Sequence, residues 1–371
     1  MYILAVYSFI IVLFFISYAS KNKLIRFLYY LIVGSLLFLI LSLRKVVYDV
    51  EDLKTDLDDY LFYWDSIDIN SLYNGIFFNN QSWKGDYLFY FYSWVVKVIC
   101  NNYSFFLGLT GVIGIFLFWY SSIKILNLFQ VSKYANIHKN INLIFTIYSM
   151  SIASFYFLYA NVLRQGLAIS LWTFSMYLLF KKKYVLSFFI VLLSLFVHKS
   201  IVLVAGIMYG YYFWKKTKYK FFFLMVICFI VILLLFIAIS SNFIVFFYKI
   251  AWYLKHMTEY YMKDIIQIIL IDIIGIYLYF NISSRYIFIK TINFLFLTLS
   301  VFITLGYFFI PEAIKRFMIY DIIILLYMLL FYIISLLRNK KYFIFYTINI
   351  VMFTYGFFVV TYPSVTLMFQ Y

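Results

Sequence analysis

The chain has 371 residues, of which 67% are hydrophobic and only 12% charged, with a mean hydropathy of +0.98. No soluble core could bury so large an apolar fraction at this length, whereas a bilayer can. The net charge of +16 does not indicate nucleic acid, because the basic residues come in short clusters between apolar runs rather than along one solvated face.

Two prolines and twelve glycines disfavour a loop-rich or β-barrel architecture and leave long helices, which predicts an all-α, polytopic transmembrane bundle. The first apolar run, 1–19, lacks a basic leader and a cleavage site and reads as a span. Further runs of spanning length fall near 25–43, 103–123, 141–160, 221–240, 265–281, 291–310, 317–337 and 342–360. Three shorter ones, 166–180, 184–197 and 201–214, are punctuated by Lys181-Lys182-Lys183 and His198-Lys199 and read as tilted or partly sunken spans. Cys100 and Cys228 lie in or beside apolar stretches without metal-ligand spacing, so neither a disulfide framework nor a metal site is implied.

One stretch, 86–100, is short and aromatic, and charge decides how it lies. If it does not cross, the loops 20–26, 124–140, 181–183, 215–220, 282–290 and 338–341 share one side. They hold eighteen Lys and Arg and no acid, and all fourteen Asp and Glu fall elsewhere. That is the asymmetry of cytoplasmic loops. The expectation is therefore about 12 spans in one transmembrane domain, 1–371, with both termini outside. Residues 44–102 form an extracytoplasmic loop that contains a re-entrant or interfacial helix.

Long loops concentrate function, and this one interleaves Asp49, Glu51, Asp52, Asp56, Asp58, Asp59, Asp65 and Asp68 with Tyr60, Tyr63, Trp64, Trp83 and Tyr87. Carboxylates bind sugar hydroxyls and aromatic faces cover apolar sugar faces; the same mixture also suits an interfacial belt. Arg164 and Arg316 stand at the outer ends of spans, where an arginine either snorkels or clamps a phosphate bidentately. His198, at an outer hairpin, suits proton transfer near neutrality or a plain interfacial role. Asp272 is an acid well inside a span, where it must be protonated, paired or facing water. No P-loop, dinucleotide motif, HExxH or nucleophile elbow occurs, so neither a cofactor nor a metal is expected.

Four blocks, in order, resemble the EpsG family of membrane polysaccharide polymerases, related to Wzy-type O-antigen polymerases. They are Arg44 followed by Thr55-Asp56-Leu57-Asp58-Asp59-Tyr60; Gly85-Asp86-Tyr87-Leu88-Phe89; Leu163-Arg164-Gln165-Gly166-Leu167-Ala168 with His198-Lys199-Ser200 beyond the tri-lysine; and Arg316-Phe317 with Tyr320. The sequence departs from the family pattern at Lys54-Thr55, where a glycine commonly precedes the first acid, and before Gly85, where an acid is common.

The resemblance implies a GT-C-like fold and a metal-independent, inverting glycosyltransfer between undecaprenyl-diphosphate-linked donor and acceptor. The partners it implies are those lipids, the bilayer and a chain-length regulator, at the outer face of a bacterial cytoplasmic membrane. On that footing Arg164, His198 and Arg316 are the expected catalytic residues. Arg44, Asp56, Tyr60, Asp86, Gln165 and Tyr320 are the expected substrate-binding ones. An O-antigen ligase would carry similar outer arginines and histidine. A lipid-linked oligosaccharide flippase or transporter would show internal repeats and broken mid-membrane helices, and no such repeat stands out.

Overall fold

The computed structural model describes residues 2–20, 22–43, 60–61, 64–68, 86–129, 135–156, 158–159, 162–216, 262–282, 287–307 and 311–361. The described residues form helices and no strands. In chain order these are α1 (Tyr2–Ala19), α2 (Lys23–Ser42), α3 (Tyr87–Ile99), α4 (Tyr103–Phe129), α5 (Ala135–Met150), α6 (Ala153–Tyr156), α7 (Leu163–Phe180), α8 (Tyr184–Val197), α9 (Ile201–Lys216), α10 (Met262–Asn281), α11 (Ile287–Tyr307), α12 (Pro311–Arg338) and α13 (Tyr342–Thr361). Six stretches within α2, α4 and α10–α13 are long and apolar enough to cross a membrane. The run expected at 221–240 lies outside the described residues.

One expectation looks different in three dimensions. The 141–160 run is not one continuous helix: α5 ends at Met150, and the chain turns at Ser151 and Ile152 before the short α6. Ser149 and Ser151 donate their hydroxyls to the carbonyls of Thr146 and Ile147, and the Tyr7 hydroxyl meets Ser151 Oγ at 2.8 Å. Side-chain hydroxyls competing for helix carbonyls bend or end helices. The thirteen residues of α3 extend only about 20 Å, short of the roughly 30 Å hydrocarbon core.

The chain divides into two compact units, 1–201 with 336–371, and 202–335. In the first, α7 packs along both α4 and α8, and only its Arg164, Leu171, Phe174 and Phe180 escape full burial. Hydroxyls fasten it. Tyr159 and Ser170 meet at 2.8 Å, Ser170 also donates to Gly114 O at 2.8 Å, and Ser187 and Ser194 of α8 donate to Ser175 O and Ala168 O, each at 2.7 Å. Interhelical hydrogen bonds in membrane bundles contribute about 0.6 kcal/mol each on average. The α7–α8 turn closes with Lys182 N donating to Leu179 O and Lys183 N to Leu178 O, both at 2.9 Å, and with Lys182 at φ 64°. This is a Schellman ending with lysine at the left-handed position that favours glycine. Lys340, at φ 56°, ends α12 in the same way, with Lys341 N donating to Leu336 O.

In the second unit, α10 and α11 pack closely at Gly275, where the Phe296 ring occupies the space of a side chain. Phe288 meets Phe331 and Phe302 meets Phe317 edge-on between α11 and α12, and Tyr277 and Tyr332 share a 3.0 Å hydrogen bond between α10 and α12.

Gly166 lies in the first turns of α7, and a Cβ there would stand 2.6 Å from the Leu158 carbonyl oxygen, a backbone atom that cannot rotate away. Gly166→Ala should therefore lower the melting temperature in detergent, by an overpacking cost of about 1–3 kcal/mol. A Cβ at Gly206 meets nothing within 4 Å. Gly206→Ala should leave the protein as stable or raise stability by up to about 1 kcal/mol. Equal melting of both variants would refute the tight seat of α7.

Candidate functional site

Four of the residues that sequence analysis singled out, Tyr60, Asp86, Arg164 and His198, come together at the start of α7. Arg164 sits in its first turn, behind a Val162 N-cap that makes no side-chain capping bond. A helix N-terminus carries partial positive charge, and adding a guanidinium there is unfavourable unless an anion answers it. Asp86 does so, with its Oδ2 3.0 Å from Arg164 Nη1. Asp86 is the N-cap residue of α3, yet its carboxylate makes no capping bond to that helix. An aspartate at such a position ordinarily caps; here the side chain is turned to the arginine instead.

The same Oδ2 faces His198 Nδ1 at 3.6 Å. His198 is the extended residue between α8 and α9, its N–H donating to Ser194 O. Asp86 is buried, and the Arg164 and His198 side chains are 19% and 15% exposed. The carboxylate bonds the guanidinium and sets a negative charge beside the imidazole, whose Nδ1 makes no hydrogen bond at this distance. A proton on Nδ1 would face that charge and leave Nε2 as the acceptor.

Tyr60 supports the arginine from beneath. Its hydroxyl lies 3.4 Å from both the main-chain N and Nε of Arg164, and the guanidinium carbon stands 5.4 Å from the ring centre. The tyrosine is 2% exposed and packs on Phe89 of α3. It is therefore a buried prop of Arg164. α3 itself packs against α4 and α8, which brings Asp86 to the α7 and α8 ends.

Gln165 is fully buried in α7, and Tyr320 is fully buried in the second unit, against Phe317. Arg316 lies in the second turn of α12, with its side chain outside those described. Arg44 and Asp56 lie outside the described residues.

Sequence reasoning missed Lys97. Its ammonium donates to the carbonyls of Trp64, Asp65 and Ile67, the last two at 3.1 and 3.2 Å, and lies 5.9 Å from the Trp64 ring centre. Trp64 in turn packs on Phe106 with ring centres 4.9 Å apart. One lysine thus uses its three donors to tie the segment that carries Tyr60 onto α3. The signal was present, since Lys97 is a basic residue in the acid-rich outer region.

Lys97→Met keeps an unbranched stem against Trp64 and removes the three donors. Limited proteolysis between Tyr60 and Asp68 should then become several-fold faster while the bundle's melting temperature shifts by only a few degrees, because local opening is governed by local contacts. Wild-type proteolysis rates would show that the segment is held by other means.

No curated protein and no solved structure matches this chain. The model of the EpsG family, however, matches residues 46–371, which takes in the tyrosine, aspartate, arginine and histidine brought together here. The chain belongs to the EpsG family.

Proposed function

We propose that the protein is a polysaccharide polymerase that joins undecaprenyl-diphosphate-linked oligosaccharide repeats into O-antigen or exopolysaccharide at the outer face of a bacterial cytoplasmic membrane. The observation that carries this reading is the meeting of Arg164, Asp86 and His198 at the N-terminus of α7, within a helical membrane protein of the EpsG family. A cationic side chain at a helix N-terminus makes an anion site, and an imidazole beside it supplies a proton acceptor.

In the proposed reaction His198 Nε2 takes the proton from the acceptor hydroxyl. The hydroxyl oxygen attacks the anomeric carbon of the donor sugar from the side opposite the diphosphate. The carbon–oxygen bond to the diphosphate breaks with inversion, and Arg164 receives the negative charge that develops on the leaving group. Asp86 holds Arg164 while no diphosphate is bound and orients His198 throughout. Arg316 is the second proposed phosphate ligand, and Arg44 and Asp56 are proposed to bind sugar. The reaction so written draws on side chains alone, without a metal ion or a cofactor. A chain-length regulator is a further proposed partner.

The fold proposed around this site is a single GT-C-like bundle of about 12 spans, with 44–102 outside and α3 lying at the interface. The charge asymmetry of the loops supports it. With Cys100 and Cys228 replaced by serine, Lys182→Cys and Lys340→Cys should resist an impermeant thiol reagent in intact cells, and Asp65→Cys and Lys199→Cys should react. Labelling at Lys182→Cys would place the site on the wrong side of the membrane.

The activity is tested by complementing a deletion strain and reading the surface-polysaccharide ladder at matched expression. Loss of a polymerase leaves single repeats on the lipid anchor, loss of a ligase leaves polymer unattached, and loss of a flippase leaves neither at the surface. Removing one preorganised charge donor costs about a hundred- to a thousand-fold in rate. Arg164→Ala should therefore give only single repeats. Arg164→Lys should fail as well, because an ammonium lacks the planar bidentate fork. Full ladders from Arg164→Lys and His198→Gln together would return both residues to an anchoring role, since lysine snorkels as well as arginine.

A further inference from the structure

The end of α7 remote from Arg164 carries, with the same end of α4, an arrangement that the proposed reaction does not use. Lys124 Nζ of α4 stands 5.3 Å from the ring centre of Tyr120, and Nζ of Lys181, the C-cap of α7, stands 5.5 Å from that of Tyr177. Phe174 of α7 joins the two pairs. Its ring centre lies 6.3 Å from Tyr120, and it stacks on Tyr177 at 6.2 Å with the planes 29° apart. Two ammonium groups are thus connected by a row of three rings that crosses from one helix to the other. Tyr120 is 51% exposed and Phe174 half-buried, so the row has an open side.

The spacing that builds each pair is written in the sequence, because a lysine four residues after a tyrosine shares its helix face. Lys215 and Lys216 of α9, over Tyr211 and Tyr212 at 5.5 and 5.6 Å, repeat it in the second unit. At an exposed site a ring face attracts a cation only weakly, so it holds the ammonium in place without cancelling its charge. Nothing else cancels it. Among the described residues no carboxylate pairs with Lys124 or Lys181, and the loops 124–140 and 181–183 contain no acid. Lys182 and Lys183, both exposed, add positive charge beside Lys181.

Depth narrows the choice of ligand. The stretch of α4 from Tyr103 to Lys124 is about 31 Å long, close to the thickness of the hydrocarbon core. The ammonium groups therefore stand at the level of lipid phosphates, with Tyr120 one turn deeper and Phe174 two turns before Lys181. A soluble polyanion would use the lysines and leave the exposed rings bare. A zwitterionic lipid would meet the rings but bring a cation of its own to the lysines. An anionic phospholipid answers both features.

We propose that Lys124, Lys181, Tyr120 and Phe174 form a binding site for one anionic phospholipid, its phosphate held between the two ammonium groups and the upper part of its acyl chains laid on the rings. The inference is independent of the polymerase reading and concerns the first unit alone.

The test titrates the full-length protein in detergent with phosphatidylglycerol or phosphatidylcholine and counts bound lipid by native mass spectrometry, with melting temperature read in parallel. Wild type should bind phosphatidylglycerol in preference and melt higher with it. Lys124→Gln combined with Lys181→Gln should bind it about twenty-five-fold more weakly, at roughly fivefold per lysine, while melting like wild type when no lipid is added. Lys124→Arg combined with Lys181→Arg keeps both charges and should bind as wild type does. Lys340→Gln combined with Lys341→Gln removes the same charge from the α12–α13 turn and should also leave binding unchanged. Equal binding by wild type and the Lys124→Gln, Lys181→Gln variant would overturn the proposal. Equal weakening by the Lys340→Gln, Lys341→Gln variant would overturn it too, by making net charge the cause. Glycerol 3-phosphate carries the headgroup charge without chains; a rise in melting temperature matching that with phosphatidylglycerol would overturn the lipid site in favour of a free phosphate site.

Discussion

Inside a bilayer no water is present to accept a stray hydrogen bond, so a polar group must be answered by another part of the chain. Many hydroxyls of the first unit meet this constraint, while Ser42 Oγ, Tyr148 OH and Thr173 Oγ1 are buried without a hydrogen-bond partner. Serine and threonine hydroxyls turn back to carbonyls one helical turn away, as Ser8, Ser35 and Thr110 do to Leu4, Leu31 and Phe106. Where a hydroxyl reaches farther, it fixes a helix pair: Trp119 Nε1 donates to Ser149, and Tyr29 meets Thr146. The enclosure of α7 is the product of such bonds and of the close approach at Gly166.

Because α7 is held so firmly, its N-terminus is a defined point in space. The chain gathers a cation, an anion and an imidazole there from three separate elements. Asp86 stands at the centre, since it touches both other groups, and its position follows from the packing of α3 on α4 and α8. Lys97 and Tyr60 extend the same arrangement outward: one ties the outer segment to α3, and the other lays that segment's tyrosine under the arginine. The cluster so assembled carries its own counter-charge, since Asp86 answers Arg164.

Much of this could be read from the sequence because membrane helices announce themselves. The short runs at 166–180, 184–197 and 201–214 lie within α7, α8 and α9, and the lysines and His198 mark the turns between them. The helical character of 86–100 was equally legible, and Asp86, Arg164 and His198, each singled out in the sequence, are neighbours in the structure. The burial of Tyr60 against Arg164 was not legible. A tyrosine in an acidic, aromatic loop looks like a sugar platform, and only the partner 104 residues away makes it a buried prop. The break after Met150 was illegible for a similar reason: neither proline nor glycine marks it, and it coincides with serine hydroxyls whose preference for main-chain carbonyls is a matter of local and tertiary geometry.

Lys182 and Lys340 adopt a backbone conformation that disfavours any side chain by about 1–2 kcal/mol, although glycine would fit either turn without strain. The two demands on these residues belong to different moments. A cationic loop steers the chain once, as the helices enter the membrane, whereas the backbone strain persists for as long as the protein is folded. A lysine at the α7–α8 and α12–α13 turns therefore carries a standing backbone cost in the folded bundle, one that any benefit of its charge has to offset.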